Sequence, residues 1–349
     1  MAESKYIAYV GTYTHGSSKG IHIFDLDVEQ GRMTERKVVP INNPSYVTIA
    51  NNGKFLYSIA DEGVEVFQIE ENGDLIPVDT ASIQGMRGCY LETDSKDQLL
   101  FIGGYHDGKI TVMRLNEDGT FGPILDGIFH KGLGSVAERN FRPHISCATL
   151  TPDEKYLCVV DSGVDHVNIY RIDPHNGKLS LIDMLHCELE AAPRHMLFSD
   201  DGRFAYLICE RKNYVMVYSY DGSDKNPQFE MIQMTSTLDD IHATGCAAAA
   251  MKFSPTRDYL MCSNAGDNSV CAFKVNKETG MLKREFVLPV SGEYPKDIDM
   301  FPDSRHLFSL NHESNTITFF RVNYEKKTMV MNGKGIPIET PNCVVVKKL

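Results

Sequence analysis

The chain has 349 residues, of which 42% are hydrophobic and 23% charged, so it can bury a full core in one or two domains. A formal net charge of −12 argues against a nucleic-acid partner, because phosphates favour a basic surface. No apolar run approaches the ~20 residues that cross a bilayer, and the N-terminus MAESKYIAYVGT has no signal-peptide pattern. We therefore expect a cytoplasmic protein with neither a nucleic-acid nor a membrane partner.

The cysteines and glycines show no metal-binding or nucleotide-binding pattern. Nine cysteines are scattered without a C-x-x-C pair and without a Cys/His series at metal-ligand spacing. The glycine cluster at residues 16–20 lacks the spacing of a phosphate-binding loop. We expect no metal and no other cofactor.

In chain order, the first predicted elements are two strands within residues 5–27, with the sequence KYIAYVGTYTHGSSKGIHIFDLD. A longer pattern follows and recurs six times, with copies beginning at Pro44, Gly88, Ile145, Pro193, Ala248 and Pro295. The chain then ends on Pro341-Asn342 followed by CVVVKKL, which matches the first part of a copy. A period near fifty residues indicates stacked supersecondary units.

Each copy predicts four short strands. Runs rich in Tyr, Phe, Leu and Val are separated by turns such as Asn51-Asn52-Gly53-Lys54, and no segment has a long helical period. The N-terminus lacks a first strand, and the C-terminus supplies one. The sequence therefore predicts an all-β, seven-bladed β-propeller whose first blade is closed by strands from both termini, as one domain over residues 1–349. The least regular stretch, residues 121–141, is predicted to be a long loop between blades.

The repeat predicts that two polar positions per blade meet at the mouth of a central channel. Arg194 stands there at the start of a first strand and allows two interpretations. In one, it pairs with a carboxylate such as Glu210 and plugs the channel. In the other, it forms a basic cup for an anionic ligand together with Lys296, His144, His195 and His312.

Acidic side chains fall at the same predicted rim. Glu210, Asp297 and Asp161 are carboxylates that could activate a water molecule or orient a histidine base. An arginine nearby could stabilise a developing oxyanion. Since no G-x-S-x-G motif is present, we do not expect a serine nucleophile. This combination suits the hydrolysis of an ester or a lactone.

Several segments together resemble a known family. YVGTYT at residues 9–14, KGIHIFDLD at 19–27, PRHMLF from Pro193 and the pair Cys209-Glu210 resemble the lactonase family of seven-bladed propellers, which includes cycloisomerase-type 6-phosphogluconolactonases. The resemblance covers essentially the whole chain. It implies a carboxylic ester hydrolase of carbohydrate metabolism that opens a sugar lactone at the mouth of the channel. The implied ligand is a small sugar lactone or sugar acid, with or without a phosphate.

The resemblance also implies site residues. His144 fits the first histidine of the family's H-P-H segment, whose second histidine is Ser146 here, and Arg194 with His195 fits P-R-H. Lys296 replaces the arginine of P-R-D, and His312 replaces the glutamine of N-Q. The predicted catalytic residues are His195, Arg194, Glu210 and His144. The predicted substrate-binding residues are Lys296, Asp297, His312, Asn311, Tyr13, His15 and Asp161.

One blade departs from the family pattern. Ala250 stands where the pattern has a glutamate, and Ala265 stands where it has an arginine. We interpret the two changes as the joint removal of an ion pair, because losing one partner would leave an unpaired buried charge. This leaves three functions open: the lactonase reaction, a lyase or isomerase reaction on another oxidised sugar, and a non-catalytic scaffold. The sequence does not define an oligomeric state.

Overall fold

The structure is a computed structural model and describes residues 5–135, 141–223, 225–239 and 247–349. These residues form 29 strands in seven antiparallel sheets and contain no helix. The described chain therefore also has no helix that could span a membrane. Seven sheets confirm the prediction of an all-β chain and of a seven-bladed β-propeller. The described residues group into two compact units, and the expectation of a single domain stays a prediction.

The first unit comprises the described residues within 1–47, 69–75 and 236–349. Its first sheet has the order β29-β1-β2-β3, with β1 Tyr6–Thr12, β2 Gly20–Asp27, β3 Arg32–Pro40 and β29 Pro341–Lys348. A second sheet has β20 Ala248–Phe253, β21 Tyr259–Asn264, β22 Ser269–Val275 and β23 Leu282–Pro289. A third has β24 Pro295–Met300, β25 His306–Asn311, β26 Thr316–Asn323 and β27 Thr328–Met331, and β28 Ile336–Pro337 also pairs with β26. The pairing of β29 with β1 confirms the predicted closure by both termini.

The second unit comprises the described residues within 48–68 and 76–235. Most of one sheet lies here, with β4 Val47–Ile49, β5 Phe55–Ala60, β6 Gly63–Ile69 and β7 Leu75–Ala81. The next sheet has β8 Tyr90–Thr93, β9 Leu99–Gly103, β10 Lys109–Leu115 and β11 Phe121–Phe129. Another has β12 Ile145–Leu150, β13 Tyr156–Asp161, β14 His166–Ile172 and β15 Leu179–His186. The last has β16 Pro193–Phe198, β17 Phe204–Cys209, β18 Tyr214–Asp221 and β19 Gln228–Ser236.

Burial follows the position of a strand in its sheet. Second strands such as β5, β13, β17 and β25 are buried along their whole length, which explains their continuous apolar sequences. Fourth strands such as β3 and β19 are largely exposed. In the first unit, Phe301, Phe308 and Phe319 form the aromatic centre of a core cluster that Val344 of β29 joins.

The predicted polar turns connect the first and second strands. Gly53, Glu154, Gly202 and Ser304 occupy the same turn position, and each has a positive φ between 53° and 71°. Their backbone N–H groups donate to the carbonyl oxygen three residues earlier. Glycine adopts this conformation most readily. Two copies have Glu154 or Ser304 at this position instead, so no single residue marks the turn in every copy, and the repeat is hard to recognise in the sequence.

The prediction of a loop over residues 121–141 is wrong for its first part. Phe121–Phe129 is strand β11 and pairs with β10. Two register shifts interrupt this pairing, and the strand is only partly buried. The sequence of β11 therefore lacks the regular alternation of apolar and polar residues that predicts a strand. Residues 136–140 lie outside the described part of the chain.

Candidate active site

A β-bulge recurs at the start of the first strand of a sheet. In the register of β12 with β13, Ile145 faces Asp161 and Cys147 faces Val160, which leaves Ser146 as the extra residue. The equivalent extra residue is Arg194 in β16, Lys296 in β24 and Asn342 in β29. In β20 the shift lies between Ala248 and Met251. Bulges re-aim side chains, so each of these five first strands re-aims a side chain at this point.

Next to each of these bulges, a backbone hydrogen bond joins two further residues. The residue that follows the second strand donates its N–H to the carbonyl of the residue just before the first strand, as from Glu210 to Ala192 at 2.8 Å and from His312 to Tyr294 at 2.9 Å. We call the residue before the first strand, the bulge residue and the residue after the second strand the end triplet. The five triplets are His144/Ser146/Ser162, Ala192/Arg194/Glu210, Ala247/Ala249/Ala265, Tyr294/Lys296/His312 and Thr340/Asn342/Tyr13.

His144, in the second unit, has a defined tautomer. Its Nδ1 lies 2.6 Å from the carbonyl oxygen of Tyr105, and a carbonyl can only accept, so Nδ1 carries the proton. The ring stacks on that of Tyr105 with centroids 4.4 Å apart, and Phe141 packs edge-on against it. Nε2 of neutral His144 is therefore unprotonated and able to accept a proton.

Asp161 holds the backbone that carries His144. Its Oδ1 accepts from the N–H groups of His144 at 2.7 Å and Gly163 at 3.0 Å, and its Oδ2 lies 2.7 Å from Nδ1 of His130. Asp161 is fully buried. A Cβ at Gly163 would lie 1.7 Å from the Arg142 carbonyl oxygen, so only glycine permits this approach. These contacts make Asp161 a positioning residue, and its predicted contact with substrate stays a prediction.

Arg194 forms an ion pair with Glu210. The guanidinium Nη1 lies 2.6 Å from Oε2 of Glu210, and both side chains are about one-fifth exposed. The hydroxyl of Ser146 donates to the carbonyl of Pro193 at 3.2 Å, which links the bulges of β12 and β16. The geometry matches the interpretation in which Arg194 pairs with a carboxylate. A partly exposed guanidinium in such a pair still offers N–H donors to a ligand.

His195 has a different environment from Arg194. Its ring lies edge-on to Tyr90, with centroids 5.7 Å apart, and the Tyr90 hydroxyl donates to Glu92 at 2.9 Å. Burial raises the pKa of Glu92 to about 7, although hydrogen bonds from Leu150, Tyr90 and Thr149 lower it. Glu92 was missed by the sequence analysis. The signal was a lone acid in the short first strand YLET.

In the first unit, aromatic rings enclose His312. Tyr13 and Tyr294 both pack edge-on against its ring, with centroids 5.7 and 6.3 Å away, and His15 stacks on Tyr13 at 6.0 Å. Nδ1 of His312 donates to the carbonyl of Pro341 at 3.1 Å. Burial lowers the pKa of His312, the charge of Lys296 lowers it further, and the Pro341 hydrogen bond acts against both. The lowered pKa favours the neutral form of His312, in which Nε2 carries no proton.

Lys296 and Asn311, two other predicted site residues of the first unit, lie in different environments. Nζ of Lys296 lies 5.6 Å from the centre of the Tyr294 ring. Asn311 is fully buried, and its side chain bonds Ser309, Thr316 and Thr318. These contacts connect β25 to β26, and a substrate contact for Asn311 stays a prediction.

Asp297 belongs to a buried cluster with Lys252. Lys252 Nζ lies 3.3 Å from Asp297, 3.1 Å from Asp299 and 2.8 Å from the Val344 carbonyl. Burial raises the pKa of Asp297 and outweighs the attraction of Lys252. Burial also acts to lower the pKa of Lys252, but its two carboxylates together shift that pKa upward. The cluster joins three first strands, and the predicted substrate contact of Asp297 stays a prediction.

Ala250 and Ala265, the two residues that depart from the family pattern, lie in different apolar clusters. Ala250 packs with Met261, Val270 and Ile298, whereas Ala265 packs with Ala247 and Ala249 against Tyr294. The joint removal of an ion pair therefore stays a prediction. Within the described residues, no group of three His, Cys, Asp or Glu side chains is arranged to hold a metal ion.

A separate cavity of about 480 Å³ in the first unit contains none of the predicted site residues. Ser18, His22 and Glu35 line it in a hydrogen-bonded series, which resembles the order of a serine-hydrolase triad. The proton positions differ from such a triad. Thr12 donates its one hydroxyl proton to the Gly20 carbonyl, so Ser18 donates to Thr12 and His22 Nε2 donates to Ser18. Ser18 is therefore not activated by His22.

Seven antiparallel sheets define a β-propeller. Over residues 7–346 the sequence matches the family described as "Lactonase, 7-bladed beta-propeller". The chain belongs to this lactonase family.

Individual relatives agree with this assignment. The chain is 30% identical to the 6-phosphogluconolactonase of Bacillus subtilis (strain 168), over 98% of each chain. Its structure is similar to that of PpgL, the periplasmic gluconolactonase of Pseudomonas aeruginosa, with 25% identity, a TM-score of 0.91 and 98% and 99% of the two chains covered. It is also similar to the crystal structure of a protein from Lactobacillus plantarum, with 27% identity, a TM-score of 0.88 and 99% and 100% covered.

Proposed function

We propose that this protein is a lactonase that hydrolyses a sugar lactone, as the names of its relatives suggest. The observation that carries the proposal is the tautomer of His144, whose Nδ1–H is held by the Tyr105 carbonyl. A neutral imidazole with one defined acceptor nitrogen is the group that general-base activation of water requires. The expectation that the reaction takes place at the mouth of the channel follows from the repeat and is part of the proposal.

The reaction follows from the groups of the second unit. Nε2 of His144 removes a proton from water, and the hydroxide oxygen bonds to the lactone carbonyl carbon. The carbonyl oxygen becomes an oxyanion, and a guanidinium N–H of Arg194 donates to it. The ring C–O bond then breaks, and its alkoxide takes the proton from His144. One water molecule is consumed, and the product is the open-chain sugar acid.

Glu210 has a positioning role in this scheme. Its carboxylate holds Arg194 at 2.6 Å and balances its charge, so the guanidinium keeps one orientation while the oxyanion forms. Asp161 acts on His144 in the same way, through the backbone N–H. His195 stays a predicted catalytic residue, and Lys296, His312, Tyr13 and His15 stay predicted substrate-binding residues.

The test is hydrolysis of glucono-δ-lactone and its 6-phosphate, corrected for spontaneous opening. We expect His144→Gln and Arg194→Ala each to lower kcat/KM by about 10²- to 10³-fold, the range for losing a general base or an oxyanion donor. Matched controls are the exposed His175→Gln and Arg203→Ala, which should retain wild-type rates. Because Arg194→Ala also removes the ion pair with the partly buried Glu210, circular dichroism should confirm that this variant is folded.

Other results would contradict the proposal. If wild type gives no rate above background on either lactone, the chain shares the family's fold without this reaction. A keto-sugar that is converted instead would indicate the lyase or isomerase alternative. Full activity of His144→Gln would assign the base to another group, with His312 as the next candidate.

Three further expectations are parts of this proposal. The ligand is a small sugar lactone or sugar acid, and the reaction needs no cofactor. A cytoplasmic location stays a prediction, and the relative PpgL is named as periplasmic.

A further inference from the structure

Two cysteines of the second unit lie against each other. Cys187 directly follows β15, Cys209 is the last residue of β17, and their thiols form a side-chain hydrogen bond. The side chain of Tyr218 in β18 interacts electrostatically with both sulfurs, as expected for neighbours. A disulfide requires its two sulfurs to approach to about 2.05 Å. Thiols that are already hydrogen-bonded to each other need only a small further approach.

Asp165 holds the backbone of the loop that carries Cys187. Its carbonyl accepts from the N–H of Cys187 at 2.9 Å. Its buried carboxylate accepts from the N–H groups of Glu190 and Ala192, each at 2.8 Å. Glu190 and Ala192 have positive φ values of 63° and 50°, which these hydrogen bonds stabilise. The loop is thereby ordered, and Cys187 is held beside Cys209 in the reduced protein.

The strand that ends at Cys209 is connected directly to the Arg194–Glu210 ion pair. Glu210 follows Cys209, and its N–H donates to the Ala192 carbonyl at 2.8 Å. Its carboxylate lies 2.6 Å from Nη1 of Arg194. In the register of β16 with β17, Cys209 faces Pro193, which directly precedes Arg194. A shift of the Cys209 backbone is therefore transmitted to both members of the ion pair.

The two thiols differ in their access to solvent. Cys187 is half-buried, whereas Cys209 is fully buried, and burial raises the pKa of the Cys209 thiol. An oxidant in solution therefore reacts first with Cys187, and Cys209 reacts second. Cys262 and Cys271 offer a contrast, because they face each other across β21 and β22 but are both fully buried. Neighbouring thiols that no oxidant can reach stay reduced.

We propose that Cys187 and Cys209 are a redox modification site, at which a low-molecular-weight disulfide such as oxidised glutathione converts the two thiols into an intramolecular disulfide. The new bond draws the end of β17 toward Cys187 and disturbs the Arg194–Glu210 pair, which lowers the rate of lactone hydrolysis. The consequence for activity rests on the proposed lactonase function, whereas the modification itself does not.

The oxidation consists of two thiol–disulfide exchanges. The thiolate of Cys187 attacks one sulfur of the oxidant, forms a mixed disulfide and releases one thiolate. Cys209 then loses its proton, and its thiolate attacks the Cys187 sulfur, forms the protein disulfide and releases the second thiolate. The protons of the two cysteines end on the two released thiols. The protein thus loses two electrons and two protons, and the oxidant is reduced to two thiols.

Peptide mass spectrometry tests the modification. The folded protein is treated with glutathione disulfide, its remaining thiols are blocked with N-ethylmaleimide in denaturant, and it is digested without reduction. We expect a linked peptide pair that contains Cys187 and Cys209, and dithiothreitol should reverse the link. Cys262 and Cys271 are the internal control and should be recovered as blocked thiols.

Variants define what each cysteine does. Cys187→Ser should leave Cys209 unmodified, and Cys209→Ala should stop the reaction at glutathione attached to Cys187. In wild type, no reaction, or glutathione on Cys187 as the final product, would overturn the proposal. A link between Cys262 and Cys271 that forms at the same rate would overturn it too, because that result indicates oxidation of unfolded chains.

Lactone hydrolysis tests the consequence for activity. Oxidised wild type should lose about tenfold or more in kcat/KM, because small displacements of positioned groups cost rate on this scale, and dithiothreitol should restore the rate. Cys187→Ser is the matched control, which should retain the wild-type rate and be insensitive to glutathione disulfide. A fully linked wild type that keeps its rate would reject the effect on the Arg194–Glu210 pair.

Failure of the lactonase proposal can be distinguished from failure of the redox site. If wild type hydrolyses neither glucono-δ-lactone nor its 6-phosphate, the peptide experiment is unaffected. A reversible link between Cys187 and Cys209 would then support the modification site without the reaction, and its absence would reject the site as well.

Discussion

At the scale of single residues, main-chain carbonyls decide which nitrogen of each candidate histidine is available. His144 and His312 both donate Nδ1–H to a carbonyl oxygen, of Tyr105 and Pro341 respectively. In the neutral tautomer that this bond favours, Nε2 carries no proton. The sequence identifies both histidines as candidates, but their acceptors are 39 and 29 residues away and carry no side-chain signal. The tautomers could therefore not be predicted.

Glu92 carries a prediction on stability. Its pKa is raised by burial to about 7, so the folded protein keeps this proton to a higher pH than the unfolded chain does. The unfolded carboxyl loses its proton near its ordinary value of ~4.3. Between these values the folded state binds more protons, and stability falls as pH rises. Glu92→Gln should therefore gain about 1–2 kcal/mol over wild type at pH 8 and nothing near pH 4.

Urea unfolding at the two pH values checks this prediction. The exposed Glu70→Gln is the control, and it should change stability little at either pH. Equal effects of Glu92→Gln at pH 4 and pH 8 would show that the carboxyl titrates normally in the folded protein.

At the scale of elements, the first strands combine a bulge with buried polar contacts. The repeat allowed prediction of where these strands begin, and β12, β16, β20 and β24 begin at or beside the predicted residues. The bulges were not predicted, because an extra residue in one strand shows only when the partner strand is aligned with it. The sequence analysis consequently treated Arg194 and His195 as one pair, although their side chains have different surroundings.

Lys252 tests the connection between first strands. Its ammonium contacts Asp297 and Asp299 of β24 and the Val344 carbonyl of β29. Lys252→Met leaves two partly buried carboxylates without their cation, and should cost about 3–5 kcal/mol at pH 8. The cost should shrink at pH 5, because protonation of Asp297, whose pKa is raised by burial, relieves the repulsion.

Urea unfolding at both pH values measures this effect. Lys283→Met, at an exposed position of β23, is the matched control and should lie within about 0.5 kcal/mol of wild type. A loss for Lys252→Met that is the same at pH 5 and pH 8 would show that packing, and not charge, accounts for it.

At the scale of the whole chain, the C-terminal strand completes the sheet that the N-terminus begins. β29 pairs with β1 from Tyr6 and Lys348 to Thr12 and Pro341, and Val344 joins the core cluster of the first unit. Without β29, β1 would expose an unpaired edge, and Lys252, Asp297 and His312 would each lose a backbone partner. We expect a variant that ends at Thr340 to lose cooperative urea unfolding.

A shorter truncation is the control for this prediction. Removing only residues 347–349, which are mostly exposed, should leave the unfolding midpoint close to that of wild type. A wild-type midpoint in the variant that ends at Thr340 would show that closure by the C-terminus contributes little to stability.

The sequence by itself determined the all-β class, the seven repeats, the closure by both termini and the identity of most candidate site residues. These depend on local patterns that survive in each copy: strand alternation, turn residues and a period near fifty. Only the tertiary structure decided that Arg194 pairs with Glu210, that Asp161 holds His144, that burial raises the pKa of Glu92 to about 7 and that Tyr294 lies on three alanines. The physical reason is that hydrogen bonds, burial and pKa shifts arise from contacts between residues distant in sequence, and no local pattern encodes them.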